Sequence, residues 1–81
     1  MTTEKQLLEI LNLACYAWKA FEEFSARADK TENEYWFNEA REAHAKYRAY
    51  LNCYQVFTDR TLCGIESVKW EMDLLTKQIL A

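Results

Sequence analysis

The sequence has 81 residues with one glycine and no proline, and it is 51% hydrophobic, 15% aromatic and 28% charged. Glycine and proline make most tight turns, so their scarcity excludes hairpin-rich folds and glycine-rich phosphate loops and favours long helices. Ten basic and thirteen acidic residues give a net charge of -3, without the basic cluster that direct DNA or RNA binding requires. We expect an all-α protein that does not bind nucleic acid directly.

The N-terminal segment and the cysteines indicate the cellular compartment of the protein. Residues 1–6 lack the basic start and apolar core of a signal peptide, and no stretch approaches the roughly 18 continuous apolar residues of a membrane span. Cys15, Cys53 and Cys63 form no C-x-x-C pair, which favours free, mostly buried thiols over disulfides or a zinc site. We therefore expect a cytoplasmic protein that does not associate with membranes.

The first predicted helix covers about residues 3–28. Thr3 followed by Gln6 has the spacing of a capping box at its start. Leu13, Tyr16 and Ala20 form a minor apolar stripe on the back of this helix. The main apolar side chains recur in steps of four and three, which predicts one buried face: Leu7, Leu11, Ala14, Trp18, Phe21 and Ala28.

The second predicted helix covers about residues 32–57, with Thr31 and Glu34 as its capping box. Six polar residues, 29–34, separate it from the first helix and shift the heptad phase, which predicts a turn and an antiparallel hairpin. In that hairpin we expect large rings to face alanines, as in Trp18 against Ala43. The apolar stripe of the second helix is Trp36, Ala40, Ala43, Tyr47, Tyr50, Tyr54 and Phe57.

The third predicted helix covers about residues 65–80 and follows Gly64, which suits a helix C-terminus or a loop hinge. At about 1.5 Å per residue it is too short to cover the whole hairpin. We therefore predict a single helical domain over residues 1–81. Its architecture is a long antiparallel hairpin with a shorter third helix, a three-helix bundle that can also be the protomer of a helical oligomer.

Consecutive aromatic residues near the predicted hairpin tip are the strongest candidate site. Three neighbouring helical residues spread over about 200° of the helix surface, so at least one of Tyr35, Trp36 and Phe37 should be exposed. Three interpretations of this aromatic run are open. Trp36 is a core residue and the other two rings cover it as a lid, or the rings anchor a partner protein or a second copy, or they line a small-molecule pocket. The predicted partner-binding residues are Tyr35, Trp36, Phe37, Phe24, Trp70, Leu74 and Tyr16.

Residues suited to catalysis are few. His44 is the only histidine, and position 41 is arginine, so the Glu-x-x-His metal motif is missing. Acidic pairs such as Glu39 and Glu42 do not converge on an acid and base. We expect no catalytic residues, no cofactor and no metal, and hence no enzyme.

Three functional hypotheses follow from these observations. The favoured one is a small non-catalytic helical protein–protein interaction module that self-associates, because the chain has a surplus of aromatic and apolar helix surface. The second is a small acidic inhibitor or regulator, for example phage-encoded, that blocks a basic site on a nucleic-acid-processing enzyme. The third is an enzyme or ligand carrier that uses His44, Cys15 and the tyrosines, which requires a polar cavity containing His44.

Overall fold

The computed structural model describes residues 3–81, and all three of its elements are helices. Helix α1 spans Glu4–Thr31, α2 spans Glu34–Thr58 and α3 spans Ile65–Leu80. The first two pack along each other as a hairpin, and α3 packs against α1, in a body of 47 × 21 × 17 Å. The predicted fold class is confirmed. Within residues 3–81, no helix is sufficiently long and apolar to cross a membrane.

The helix starts were predicted correctly for α1 but not for α2. The Thr3 hydroxyl accepts the Gln6 N–H at 3.3 Å, and Gln6 Oε1 accepts the Thr3 N–H at 2.9 Å, which confirms the capping box. The Thr31–Glu34 box is wrong. Thr31 still belongs to α1 and donates its hydroxyl proton to the Arg27 carbonyl at 2.7 Å, so Asn33 caps α2 instead by accepting the Tyr35 N–H.

The chain ends two helices without glycine. Glu32 and Asp59 adopt the left-handed conformation, with φ of 53° and 58°, and their N–H groups donate to the carbonyls of Ala28 and Gln55. A side chain in this region costs about 1–2 kcal/mol. Gly64, with φ of 122°, is the N-cap of α3. Of the two predictions for this glycine, the position after a helix C-terminus is wrong, and the position in the connection before α3 is correct.

The core combines one leucine and two alanines of α1 with larger side chains of α2 and α3. Leu11, Ala14 and Ala17 of α1 are buried against Tyr47 and Tyr54 of α2 and against residues of α3. The α3 contribution is Val68 and Leu75. The two alanine side chains are small, so the tyrosine rings of α2 can lie against α1 and fill the space between the helices.

Two details of the predicted core differ. The Trp18 ring, which was predicted to face Ala43, lies 4.9 Å from the Tyr47 ring, so aromatic rings also meet each other in the hairpin. Phe57, the last residue of the α2 stripe, is 57% exposed. It faces the first turns of α1 across an open groove that is lined by Gln6, Glu9, Ile10 and Leu13, so solvent reaches the ring.

Candidate protein-contact surface

The hairpin tip holds an ordered group of aromatic rings. Trp36 is half-buried, stacked on Phe24 at 5.6 Å and met edge-on by Tyr35 at 4.9 Å. The Arg27 guanidinium lies 4.9 Å from the centre of the Trp36 indole, a cation–π contact. Tyr35 and Phe37 are 57% and 45% exposed. The tip therefore fixes Trp36 and presents the two neighbouring rings to solvent.

The tip is also the acidic part of the molecule. Residues 19–42 contain seven acidic and four basic residues, a net charge of -3 that equals the charge of the whole chain. Arg27 is held in an ion pair with Glu23 at 2.9 Å as well as by the Trp36 ring. The exposed rings of Tyr35 and Phe37 are thus surrounded by a surface of net negative charge.

A second apolar surface runs along the hairpin between α1 and α2. Two grooves of about 250 and 310 Å³ share Leu13 as a lining residue and so adjoin. Leu13 is 43% and Tyr16 is 70% exposed. We call this surface the open flank; its apolar and aromatic members are Ile10, Leu13, Tyr16, Ala17, Ala20, Phe24, Ala43, Tyr50 and Phe57.

The open flank is uncovered because α3 occupies a different side of α1. The Cys15 Sγ donates a weak hydrogen bond to the Met72 Sδ at 3.4 Å, which marks the α1–α3 contact. Leu13 is two residues earlier, about 200° around the helix, and therefore faces away from α3. The minor stripe of the sequence is thus one wall of the open flank. Tyr50 and Phe57 were assigned to the core stripe, and sequence reasoning missed their place in the other wall.

Charged side chains border the open flank. Glu9, Glu39, Glu42 and Lys46 line the two grooves, and Glu42 and Lys46 lie one helical turn apart on α2, both exposed. In the part of the chain described, ion pairs join only Arg27 to Glu23 and Arg60 to Glu71. Glu42 and Lys46 are therefore both available to a partner.

The remaining predicted contact residues lie elsewhere. Trp70 is 62% exposed and lines a groove formed with the α2–α3 connection, whereas Leu74 is half-buried. Tyr16 and Phe24 belong to the open flank, and Tyr35, Trp36 and Phe37 belong to the tip. The structure therefore distributes the seven predicted residues over three places.

A buried polar network that the sequence analysis missed connects α2 to α3. Glu71 is 1% exposed; its Oε2 accepts a hydrogen bond from the Tyr54 hydroxyl at 3.0 Å and lies 3.2 Å from Arg60 Nε. Burial, and then the hydrogen bond to Glu71 and its negative charge, raise the pKa of Tyr54 to about 12. The signal was present, since Glu71 lies three residues after Val68 and four before Leu75, on the apolar face.

His44 packs among aromatic side chains. Its ring is half-buried, 4.9 Å from the Phe21 ring and 6.3 Å from the Trp18 ring, and it lines neither the two grooves of the open flank nor the groove beside Trp70. Within residues 3–81, no three His, Cys, Asp or Glu side chains cluster to hold a metal ion. The geometry around His44 is therefore that of aromatic packing.

The three cysteines are free, as predicted, but their expected burial is wrong for two of them. Cys15 is half-buried, whereas Cys53 and Cys63 are exposed. Burial raises the pKa of the Cys15 thiol, and the charges of Lys69 and Lys19 act in the opposite direction. Cys53 lies on the solvent side of α2, and Cys63 lies in the loop before α3.

Comparison with known proteins adds no relative: no family model, no curated protein and no solved structure matches this chain.

Proposed function

We propose that this protein is a small, non-catalytic helical interaction module that pairs with a second copy of itself through the open flank. The observation that carries the proposal is the apolar strip between α1 and α2, on which Leu13 and Tyr16 are 43% and 70% exposed. Contiguous exposed apolar surface bordered by polar residues is typical of protein contact sites. Pairing would bury side chains that the isolated chain leaves in water.

The size of the molecule supports a contact of this kind. A long side of 47 by 21 Å has a projected area of about 1,000 Å², and a stable interface needs about 800 Å² from each partner. Two hairpins placed flank to flank would form a four-helix core, with the α3 helices on the outside. The exposed Tyr16 and the half-buried Tyr50 suit such a contact because Tyr contributes large apolar area at low entropy cost.

The charges along α2 favour a second copy as the occupant. In a two-fold dimer, if residue i of one copy contacts residue j of the other, the reverse contact forms as well. Two antiparallel α2 helices would place Glu42 of each copy opposite Lys46 of the other, so both charges gain a partner. The open flank is self-complementary in this respect.

The tip and the Trp70 face have a different place in the proposal. Tyr35 and Phe37 lie at one end of the hairpin, and Trp70 lies on α3. A dimer built on the open flank would leave these rings accessible to a further protein. The predicted partner-binding role of Tyr35, Trp36, Phe37, Trp70 and Leu74 is thus proposed for a partner other than the second copy.

The experiment is light scattering coupled to size exclusion over a dilution series, on wild-type protein and two charge variants. Leu13→Glu places a carboxylate in the open flank, and Trp70→Glu is the matched control on the exposed α3 face. We expect the wild type and Trp70→Glu to be dimers that dissociate on dilution, and Leu13→Glu to be a monomer. A wild-type monomer at every concentration, or equal behaviour of the two variants, would refute the proposal.

The acidic tip favours one second candidate, an acidic inhibitor of a basic site on a nucleic-acid-processing enzyme. Its support is the net charge of -3 over residues 19–42 around the exposed Tyr35 and Phe37. Inhibition by charge should weaken steeply between low and moderate ionic strength. Inhibition assays on a panel of nucleases and polymerases would test it, with Glu34→Lys as the variant. Salt-independent inhibition, or none, would exclude this candidate.

A further inference from the structure

A further groove lies between α1 and α3, and it adjoins the open flank at Tyr16. It has a volume of about 480 Å³, within the range of about 300–1,000 Å³ typical of small-molecule sites. Its floor consists of half-buried side chains from both helices, namely Cys15 and Trp18 of α1 with Ile65 and Met72 of α3. The groove therefore offers an apolar, partly aromatic surface to a ligand.

The rim of this groove is positively charged. Lys19 of α1 and Lys69 of α3 are exposed lining residues, and the one acidic lining residue is Asp73. Neither lysine forms an ion pair, since the pairs within residues 3–81 are Arg27–Glu23 and Arg60–Glu71. The positive charges reach the floor, because both lysines act to lower the pKa of the Cys15 thiol against the larger effect of burial.

We propose that this groove binds a small amphipathic organic anion, with its apolar chain or ring on Trp18, Ile65 and Met72 and its anionic head between Lys19 and Lys69. Ammonium groups attract a carboxylate from either side, while the floor removes the apolar part of the ligand from water. Asn12 and Tyr16 also line the groove and can donate hydrogen bonds to the head group. The floor and both lysines lie outside the open flank, and Tyr16 is the one lining residue that the groove shares with it.

Decanoate is the test ligand, kept below its micelle-forming concentration and titrated at low salt into ¹⁵N-labelled protein. We expect saturable shifts of the backbone amides of Cys15, Lys19 and Lys69. Decanol, which lacks the charge, should bind more weakly, and decyltrimethylammonium, which reverses it, should bind most weakly. Equal binding of all three compounds would show that the lysines do not select the ligand and would overturn the proposal.

Charge variants separate the groove from the overall charge of the protein. Lys19→Glu with Lys69→Glu should weaken decanoate binding about tenfold or more, because two attractive contacts become repulsive. Lys5→Glu with Arg48→Glu changes the net charge equally at exposed positions outside the groove and should leave the affinity unchanged. Circular dichroism confirms that both pairs are folded, and Lys19→Ala with Lys69→Ala, a milder change, should show an intermediate loss. Equal affinity in the two reversal pairs, or no saturable binding to the wild type, would overturn the proposal.

Discussion

The Tyr54 hydroxyl donates a hydrogen bond of 3.0 Å to Glu71 Oε2 and so joins α2 to α3, although within residues 3–81 no Cα atom of α2 lies within 8 Å of one of α3. The same carboxylate oxygen lies 3.2 Å from Arg60 Nε in the connection between the two helices. A buried carboxylate is costly without partners, so these two contacts add to the apolar packing that holds α3 on α1. Tyr47 is the natural comparison, because its buried hydroxyl has no hydrogen-bond partner among residues 3–81.

Removal of the two tyrosine hydroxyls should therefore have unequal effects. Tyr54→Phe leaves Glu71 with one partner fewer and should lower the free energy of unfolding by about 1–3 kcal/mol. Tyr47→Phe removes an unsatisfied buried hydroxyl, so it should be neutral or stabilising. Urea denaturation monitored by circular dichroism measures both. Equal losses in the two variants would show that the Tyr54–Glu71 bond has no special role.

The same bond predicts a dependence on alkaline pH. The pKa of Tyr54 is raised from 10.0 to about 12 by burial and by Glu71, so the unfolded chain loses this proton at lower pH than the folded chain does. The stability that Tyr54 contributes is complete below pH 10 and is lost as the pH rises towards 12. The stability difference between wild type and Tyr54→Phe should consequently shrink between pH 9 and 12. A constant difference across that range would contradict the raised pKa.

Much of this fold could be predicted because helix periodicity is a local property. The apolar steps of four and three placed three helices, and the Thr3–Gln6 box marked the first residue of α1 to within one position. The N-cap of α2 was misplaced because Thr31 and Glu34 have the spacing of a capping box. The Thr31 hydroxyl instead donates to the Arg27 carbonyl within α1. Sequence patterns do not distinguish a cap from a hydroxyl that bonds back along the helix.

The candidate site was harder to predict because it depends on which face α3 covers. Tyr16 was recognised as a contact residue, but Tyr50 and Phe57 belong to an unbroken core stripe and differ only in what packs over them. That difference is set by helix packing angles and not by local spacing. Glu71 was overlooked for the related reason that its partners, Tyr54 and Arg60, are distant in the sequence.

Two tip variants separate packing from contact. Trp36→Ala removes a half-buried ring that contacts Phe24, Tyr35 and Arg27, and it should cost about 1–3 kcal/mol, below the 3–5 expected for a fully buried ring. Phe37→Ala removes an exposed ring and should change stability by less than about 0.5 kcal/mol. Thermal unfolding of both variants is the measurement. A Phe37→Ala loss as large as that of Trp36→Ala would place Phe37 in the core.

A charge exchange on the open flank tests whether the occupant is a second copy. Glu42→Lys alone and Lys46→Glu alone should each weaken self-association about threefold to tenfold, because each places like charges opposite one another in the dimer. The double variant restores opposite charges and should dimerise nearly as well as the wild type. Arg48→Glu, an exposed change that lines neither groove of the flank, is the control. Additive weakening in the double variant would exclude the two-fold pairing of Glu42 with Lys46.

The most direct test of self-association through the open flank is the change of backbone amide signals of ¹⁵N-labelled wild-type protein on dilution. The signals of Leu13, Tyr16, Ala20 and Tyr50 should move together as the dimer dissociates, while those near Trp70 should stay fixed. Signals that do not move over the whole concentration range, or movement confined to the Trp70 region, would contradict the proposed contact.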